Sequence, residues 1–99
     1  MFDATITETA ARIRDGALGA RDLTERLLAR IAQLDATLHA HATVTAELAL
    51  ASAAEIDRAR ARGQPLGALA GVPLGLKDII AADGAPTHVG SRALRNWRP

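Results

Sequence analysis

The segment Gly71-Val-Pro-Leu-Gly-Leu-Lys-Asp-Ile-Ile80 places one ammonium group near the end of an otherwise apolar run. If the run is extended, Lys77 shares a face with Pro73 and Gly75, while Val72, Leu74 and Leu76 take the other. Gly75 has no side chain to fill the space beside the amine. A lysine held in a dry pocket gives up its proton more readily, because desolvation disfavours the charged form. The neutral amine then serves as a general base near neutral pH. The alternative is a strand-end lysine whose stem covers apolar surface while its head reaches water. The residues alone leave both readings open. Alternation points Asp78 away from Lys77, so it is not read as the lysine's partner.

Three histidines are the other groups with ligand chemistry. His39 and His41 stand at i,i+2, which share a face only in extended structure, and they fall where a helical pattern ends. With no carboxylate at a motif spacing, they and His88 read as residues of surface connections and not as metal ligands. The chain has no cysteine, which removes disulfides, thiolate metal sites and a thiol nucleophile.

These groups need elements to position them. Thr5 or Thr7 is placed to cap a short helix carrying Ile6, Ala10 and Ile13, with Asp15-Gly16 as its stop. A second helix begins near Ala20. Leu23, Leu27, Ile31, Leu34 and Leu38 fall on one face, and Asp22 and Arg26 stand at i,i+4 on the other. A third, alanine-rich helix spans about residues 45–62 with a seam of Leu48, Ser52, Ile56 and Ala59. Its C-terminal turn is cationic, as the helix dipole favours, and Gly63 ends it. Beyond Gly63 the character changes. Val72 to Ile80 reads as a short buried strand, Asp83-Gly84-Ala85-Pro86 as a turn, and Thr87 to Leu94 as mixed, partly extended chain. The predicted class is α/β: helices over residues 1–63, then the first strand or strands of a mixed sheet over 64–99. Such a strand needs neighbours on both sides.

Composition narrows the function. Among 99 residues, twelve Lys and Arg balance eleven Asp and Glu for a net charge of +1. No block of like charge marks a nucleic-acid or membrane surface, and Arg92, Arg95 and Arg98 read as a solvated tail. The N-terminus lacks the unbroken apolar stretch of a signal peptide, and no window reaches the apolar length of a membrane span. The expectation is a cytoplasmic protein without cofactor, metal, nucleic acid or membrane partner. Phe2 and Trp97 are the only aromatic residues, so the core must rely on close helix packing or on surfaces outside this chain.

The run Leu69-Ala-Gly-Val-Pro-Leu-Gly-Leu-Lys-Asp78, followed by Gly84-Ala-Pro-Thr87 and Gly90-Ser91, resembles the amidase signature hydrolases. The resemblance extends upstream through Asp22-Leu-Thr-Glu-Arg-Leu-Leu-Ala-Arg-Ile and the Val44-Thr45, Ala49, Ala53, Asp57 pattern. It implies a mixed α/β sheet and a Ser–cis-Ser–Lys arrangement that hydrolyses a carboxamide, with the family's lysine at Lys77. There the lysine acts through a bridging serine on a nucleophilic serine, and backbone N–H groups hold the oxyanion. Thr87, Gly90 and Ser91 are implied as wall or turn residues near it, and the family's Lys-Asp pair implies for Asp78 the task of accepting backbone hydrogen bonds in the turn after the run.

The family's two serines belong to a downstream Gly/Ser-rich signature. Ser52 sits on a helix and Ser91 in the post-lysine segment, so neither corresponds to them. The reading is therefore an N-terminal fragment of one amidase-signature domain. It is expected to meet its small amide substrate only with the missing portion, to be inactive alone, and to self-associate through exposed strand edges. A sub-branch of the family forms the A subunit of tRNA-dependent amidotransferases, and these residues do not separate it from a stand-alone amidase. The competing reading is a non-catalytic helical interaction module or a pseudo-enzyme remnant. Ile79 where the family favours Asn, His88 where Thr is common, and Gly19 in place of a capping Ser or Thr are departures from the pattern.

Overall fold

A computed structural model describes residues 3–99. Its elements are α1 (Ile6–Asp15), α2 (Ala20–Leu38), α3 (Ala46–Ala61) and a single 3-10 turn over Arg92–Leu94. Among the described residues no helix is long and apolar enough to cross a membrane.

Helix α1 is closed at both ends by its own sequence. The Thr5 hydroxyl accepts the Glu8 N–H at 3.1 Å and the Glu8 carboxylate accepts the Thr5 N–H at 3.0 Å, so Thr5 and not Thr7 is the cap. At the other end Gly16 turns left-handed at φ +79°. Its N–H donates to the Ile13 carbonyl and that of Ala17 to the Arg12 carbonyl, a Schellman closure. Gly63 ends α3 in the same way, with Gln64 N–H donating to Ala59 and Gly63 N–H to Arg60.

The start of α2 is capped from a distance. Gly19 offers no side chain, and the first two N–H groups, of Ala20 and Arg21, donate instead to the two carboxylate oxygens of Asp57 on α3 at 2.8 and 3.0 Å. Asp22 is left to pair with Arg26 at 2.8 Å. A carboxylate at a helix N-terminus satisfies orphan donors and faces the positive end of the dipole. The same contact sets α3 alongside α2, and the core gathers beside it: Ile13, Ala20, Leu23 and Ala53, with Leu18, Leu27 and Ile56 packed around them. Ala20 and Ala53 allow the close approach, and among the described residues Ile13 is the one large side chain fully enclosed, worth roughly 1.5–3 kcal/mol of transfer free energy.

Burial fades along both long helices. On α2, Leu23 is buried and Leu27 and Ile31 half-buried, but Leu34 and Leu38 are exposed. The predicted α3 seam is shifted: Leu48 and Ser52 face solvent, while Ala49, Ala53, Ile56 and Asp57 face inward. The Asp57 cap fixes the rotation of α3, overriding the weak apolar contrast of an alanine-rich sequence. At the far end the Asp35 carboxylate accepts the N–H groups of Ala40 and His41 and meets the His41 ring nitrogen at 3.0 Å. The His41 ring bond, with those backbone donors, holds the Asp35 carboxyl below its ordinary value of 3.8.

The predicted α/β class is corrected: the described residues form three helices and no strand. Around residues 72–80 the backbone makes turn bonds, Val72 N–H to Leu69 O at 3.1 Å and Ile80 N–H to Lys77 O at 3.0 Å. Leu74, Leu76, Ile79 and Ile80 are all exposed. A strand needs neighbours to take its N–H and C=O groups, and the chain offers none here. Residues 87–94, predicted as partly extended, likewise form a turn and the 3-10 turn. This irregular half meets the helices at Ala68, whose carbonyl accepts from Arg14, at Gly84, which lies against Leu48, and most closely at Gly71, left-handed at φ +82°. A Cβ there would stand 2.9 Å from that of Ala20 and 3.0–3.1 Å from Ile13.

Three outcomes are expected. Asp57→Ala should cost about 1–2 kcal/mol in a urea titration, as loss of an N-cap does, with Asp57→Asn recovering part through its remaining acceptor oxygen. Gly71→Ala should cost clearly more than Gly63→Ala: both carry the left-handed penalty of about 1–2 kcal/mol, but Gly63 has nothing within 4 Å of an added Cβ. Asp35 ionises more easily folded than unfolded, so its contribution is present above 3.8 and disappears as pH falls through the lower folded value. An NMR carboxyl titration should place its midpoint below 3.8, and Asp35→Asn should remove the accompanying change at the Ala40 and His41 amides.

Candidate functional site

Lys77 stands at the end of residues 72–77, which carry no regular structure, and its side chain is exposed. A Cβ added at Gly75 would meet nothing within 4 Å, so the described residues close no dry pocket around the amine. Two shallow cavities of about 260 and 280 Å³ lie on the helical half, and Lys77 lines neither.

The backbone on which Lys77 stands is nevertheless tied down. The next residue, Asp78, accepts the His88 N–H on its Oδ1 at 3.0 Å, and its carbonyl accepts the Val89 N–H at 3.1 Å. His88 Nδ1 lies 3.8 Å from Asp78 Oδ2. Asp78 therefore accepts backbone N–H groups, as expected of it, but across ten residues and not only within its own turn. The clamp brings the Lys77-Asp78 pair against the Thr87–Ser91 segment. Thr87 is buried, Ser91 N–H donates to the His88 carbonyl at 2.9 Å, and the Ser91 hydroxyl accepts the Ala93 N–H at 3.2 Å. Val89 adopts φ +52°, a left-handed conformation that costs a β-branched residue free energy; its bond to Asp78 lies at that bend.

The other groups with chemistry are dispersed. His41 is engaged with Asp35 and His88 lies beside Asp78, on separate loops. Ser52 is exposed on α3. One signal in the sequence went unused: of the twelve cationic residues, Lys77 is the only lysine and the remaining eleven are arginine. Wherever the chain needs a surface cation it employs a guanidinium, which stays protonated. The one side-chain amine stands at residue 77.

The family model described as Amidase matches residues 22–99. Among curated proteins, the chain is 50% identical over 95 residues to the A subunit of glutamyl-tRNA(Gln) amidotransferase from Streptomyces coelicolor, covering 96% of this chain and 19% of that one. Its counterpart of the same description from Chromohalobacter salexigens is 48% identical over 97 residues, covering 98% and 20%. That from Chloroflexus aurantiacus is 42% identical over 95 residues, covering 96% and 20%. The chain spans about a fifth of the length of these relatives. No solved structure shows a significant match.

The clamp has a direct readout. Asp78→Ala removes a charge-assisted acceptor from the His88 N–H, a loss of about 1 kcal/mol for a partly exposed group. Amide exchange at His88 should quicken several-fold while the amides of α1 keep their protection; unchanged exchange at His88 would show that the carboxylate does not hold the loop.

Proposed function

This chain belongs to the amidase family, and on that premise we propose that it supplies Lys77 as the general base of an enzyme that breaks a carboxamide C–N bond. The observation that supports this reading most is the Asp78 clamp. It joins the Lys-Asp pair to the Gly-x-Pro-Thr-x-x-Gly-Ser segment, two stretches of the motif that the chain holds together by hydrogen bonds.

In the proposed reaction Lys77 Nζ takes a proton from a bridging serine as that serine takes one from the nucleophile. The nucleophile's oxygen bonds to the amide carbon, the C–N bond breaks, and the nitrogen leaves carrying the proton returned through the same relay. Water then cleaves the acyl ester to the carboxylate. A serine hydroxyl is a weak nucleophile until a base removes its proton, and the base must be the neutral amine, which requires removal from water. Both serines come from outside the 99 residues, because Ser52 sits on α3 and Ser91 belongs to the post-lysine segment and not to the family's Gly/Ser-rich signature. The isolated chain is accordingly inactive, needs no cofactor, and takes its amide substrate only together with a portion like the remaining four-fifths of its relatives. Identity of 50% to a protein described as the A subunit of an amidotransferase favours a place in that branch over a stand-alone amidase.

A chimera joining residues 1–99 to the rest of the Streptomyces coelicolor relative tests this. It should release ammonia from a carboxamide such as glutamine. Lys77→Ala should lower that rate by at least about a thousandfold, within the range for loss of a general base that activates a nucleophile. Lys77→Arg should be equally inactive, since a guanidinium does not deprotonate. Retention of the rate by either variant would remove Lys77 from the mechanism.

A further inference from the structure

Where the C-terminal turns of α1 and α3 meet, a cavity of about 280 Å³ is lined by Arg14, Arg60, Gly63, Gln64 and Leu66. Arginines in these turns have an ordinary explanation, the negative end of the helix dipole. That explanation leaves one donor unaccounted for: Arg60 Nε is enclosed and has no hydrogen-bond partner among the described residues.

The acceptors around it are engaged. At the end of α1, the Arg12 carbonyl takes the N–H groups of Ala17 and Leu18, and the Ile13 carbonyl takes that of Gly16. At the end of α3, the carbonyls of Arg58, Ala59 and Arg60 take Arg62, Gln64 and Gly63. Of the acids on α3, Glu55 is engaged with Arg58 and Arg62 and Asp57 with the start of α2, while Asp15, which ends α1, does not line the cavity. No carboxylate lines the cavity.

The geometry is that of a fixed receptor. The Arg60 guanidinium lies flat enough on the chain that Nη1 is 2.6 Å, and Cζ 3.2 Å, from where a Cβ at Gly16 would stand; only glycine lets it sit there. Arg14, which lines this cavity and the neighbouring one of about 260 Å³, makes a single long bond, 3.3 Å to the Ala68 carbonyl of that neighbour, which leaves most of its five N–H donors unused. Two guanidinium groups lining one cavity that no carboxylate lines suit an oxyanion bearing two charges and several acceptor oxygens.

We propose that this cavity binds a phosphate group, as free phosphate or as a phosphate monoester whose organic part lies against Leu66. The inference does not depend on the amidase reading, since the site lies on the helical half away from Lys77.

Calorimetric titration of the 99-residue chain with inorganic phosphate, glycerol phosphate and acetate tests it. Saturable phosphate binding is expected with a dissociation constant on the order of 1 mM, at least about tenfold weaker in Arg14→Gln and in Arg60→Gln. It should be unchanged in Arg58→Gln, which alters an exposed arginine outside the cavity. Tighter binding of glycerol phosphate assigns the site to a monoester, and tighter binding of inorganic phosphate to the free ion. Because Arg60→Gln disturbs the packing on Gly16, amide shifts in the unaltered chain give a second readout: phosphate should move Gly63 and Gln64 and leave the Ala40 and His41 amides still. Absence of saturable binding, equal binding of acetate, or equal loss in Arg58→Gln overturns the proposal.

Discussion

The fold turns on a carboxylate that belongs to one helix and completes another. Helix α2 begins at Gly19, which has no side chain to cap it, and its first donors would be orphaned without Asp57. The bond fixes three things at once. It closes the end of α2, sets the rotation of α3 so that Ala53 and Ile56 face inward, and brings Ala20 to complete burial beside Ile13. Ala20 and Ile13 are in turn the surface on which Gly71 rests. The route from the cap to the lysine segment therefore runs through two small residues, Ala20 and Gly71, whose lack of bulk lets the backbones meet.

That dependence accounts for how burial is distributed. Close packing exists where α1, the start of α2 and the later part of α3 converge, and it fades toward Leu38 and Leu48, which are exposed. Alanine-rich helices gain little from each contact, so they hold together where hydrogen bonds fix the approach and part where no such bond reaches. The lysine half carries a different imbalance. Leu69, Leu74, Leu76, Ile79 and Ile80 are exposed, while Asp78 and the N–H groups of residues 88 and 89 are paired. Around Lys77 hydrogen bonds hold the chain, and apolar burial contributes little.

The sequence showed what is local and concealed what is not. Thr5, Gly16 and Gly63 mark helix ends because a capping hydroxyl or a left-handed turn is a property of a few adjacent residues. The cap on α2 spans 37 positions; Gly19 advertised only that something was missing. The α3 seam was misplaced because alanines on every side give little contrast, and the larger Leu48 drew attention from the smaller Ala53. Residues 72–80 have the composition of a buried strand, but composition states a preference, and pairing requires a neighbour to meet the backbone. Lys77 was singled out by the motif around it, and its solitude among eleven arginines was a second signal that went unused.

The two requirements on a lysine base are thereby separated in space and in cause. Position is a backbone matter: the Asp78 carboxylate and carbonyl hold the chain next to Lys77 against residues 88 and 89, with no contribution from the amine itself. Protonation is a solvent matter, because the base role proposed for Lys77 requires shelter from water, which favours a charged form. Among the described residues the Lys77 side chain is exposed and Gly75 beside it faces open space. Covering the exposed leucines and isoleucines of the same segment would exclude the water around the amine. The exposed apolar side chains and the exposed amine belong to the same segment, so one covering surface would meet both demands of the proposed role.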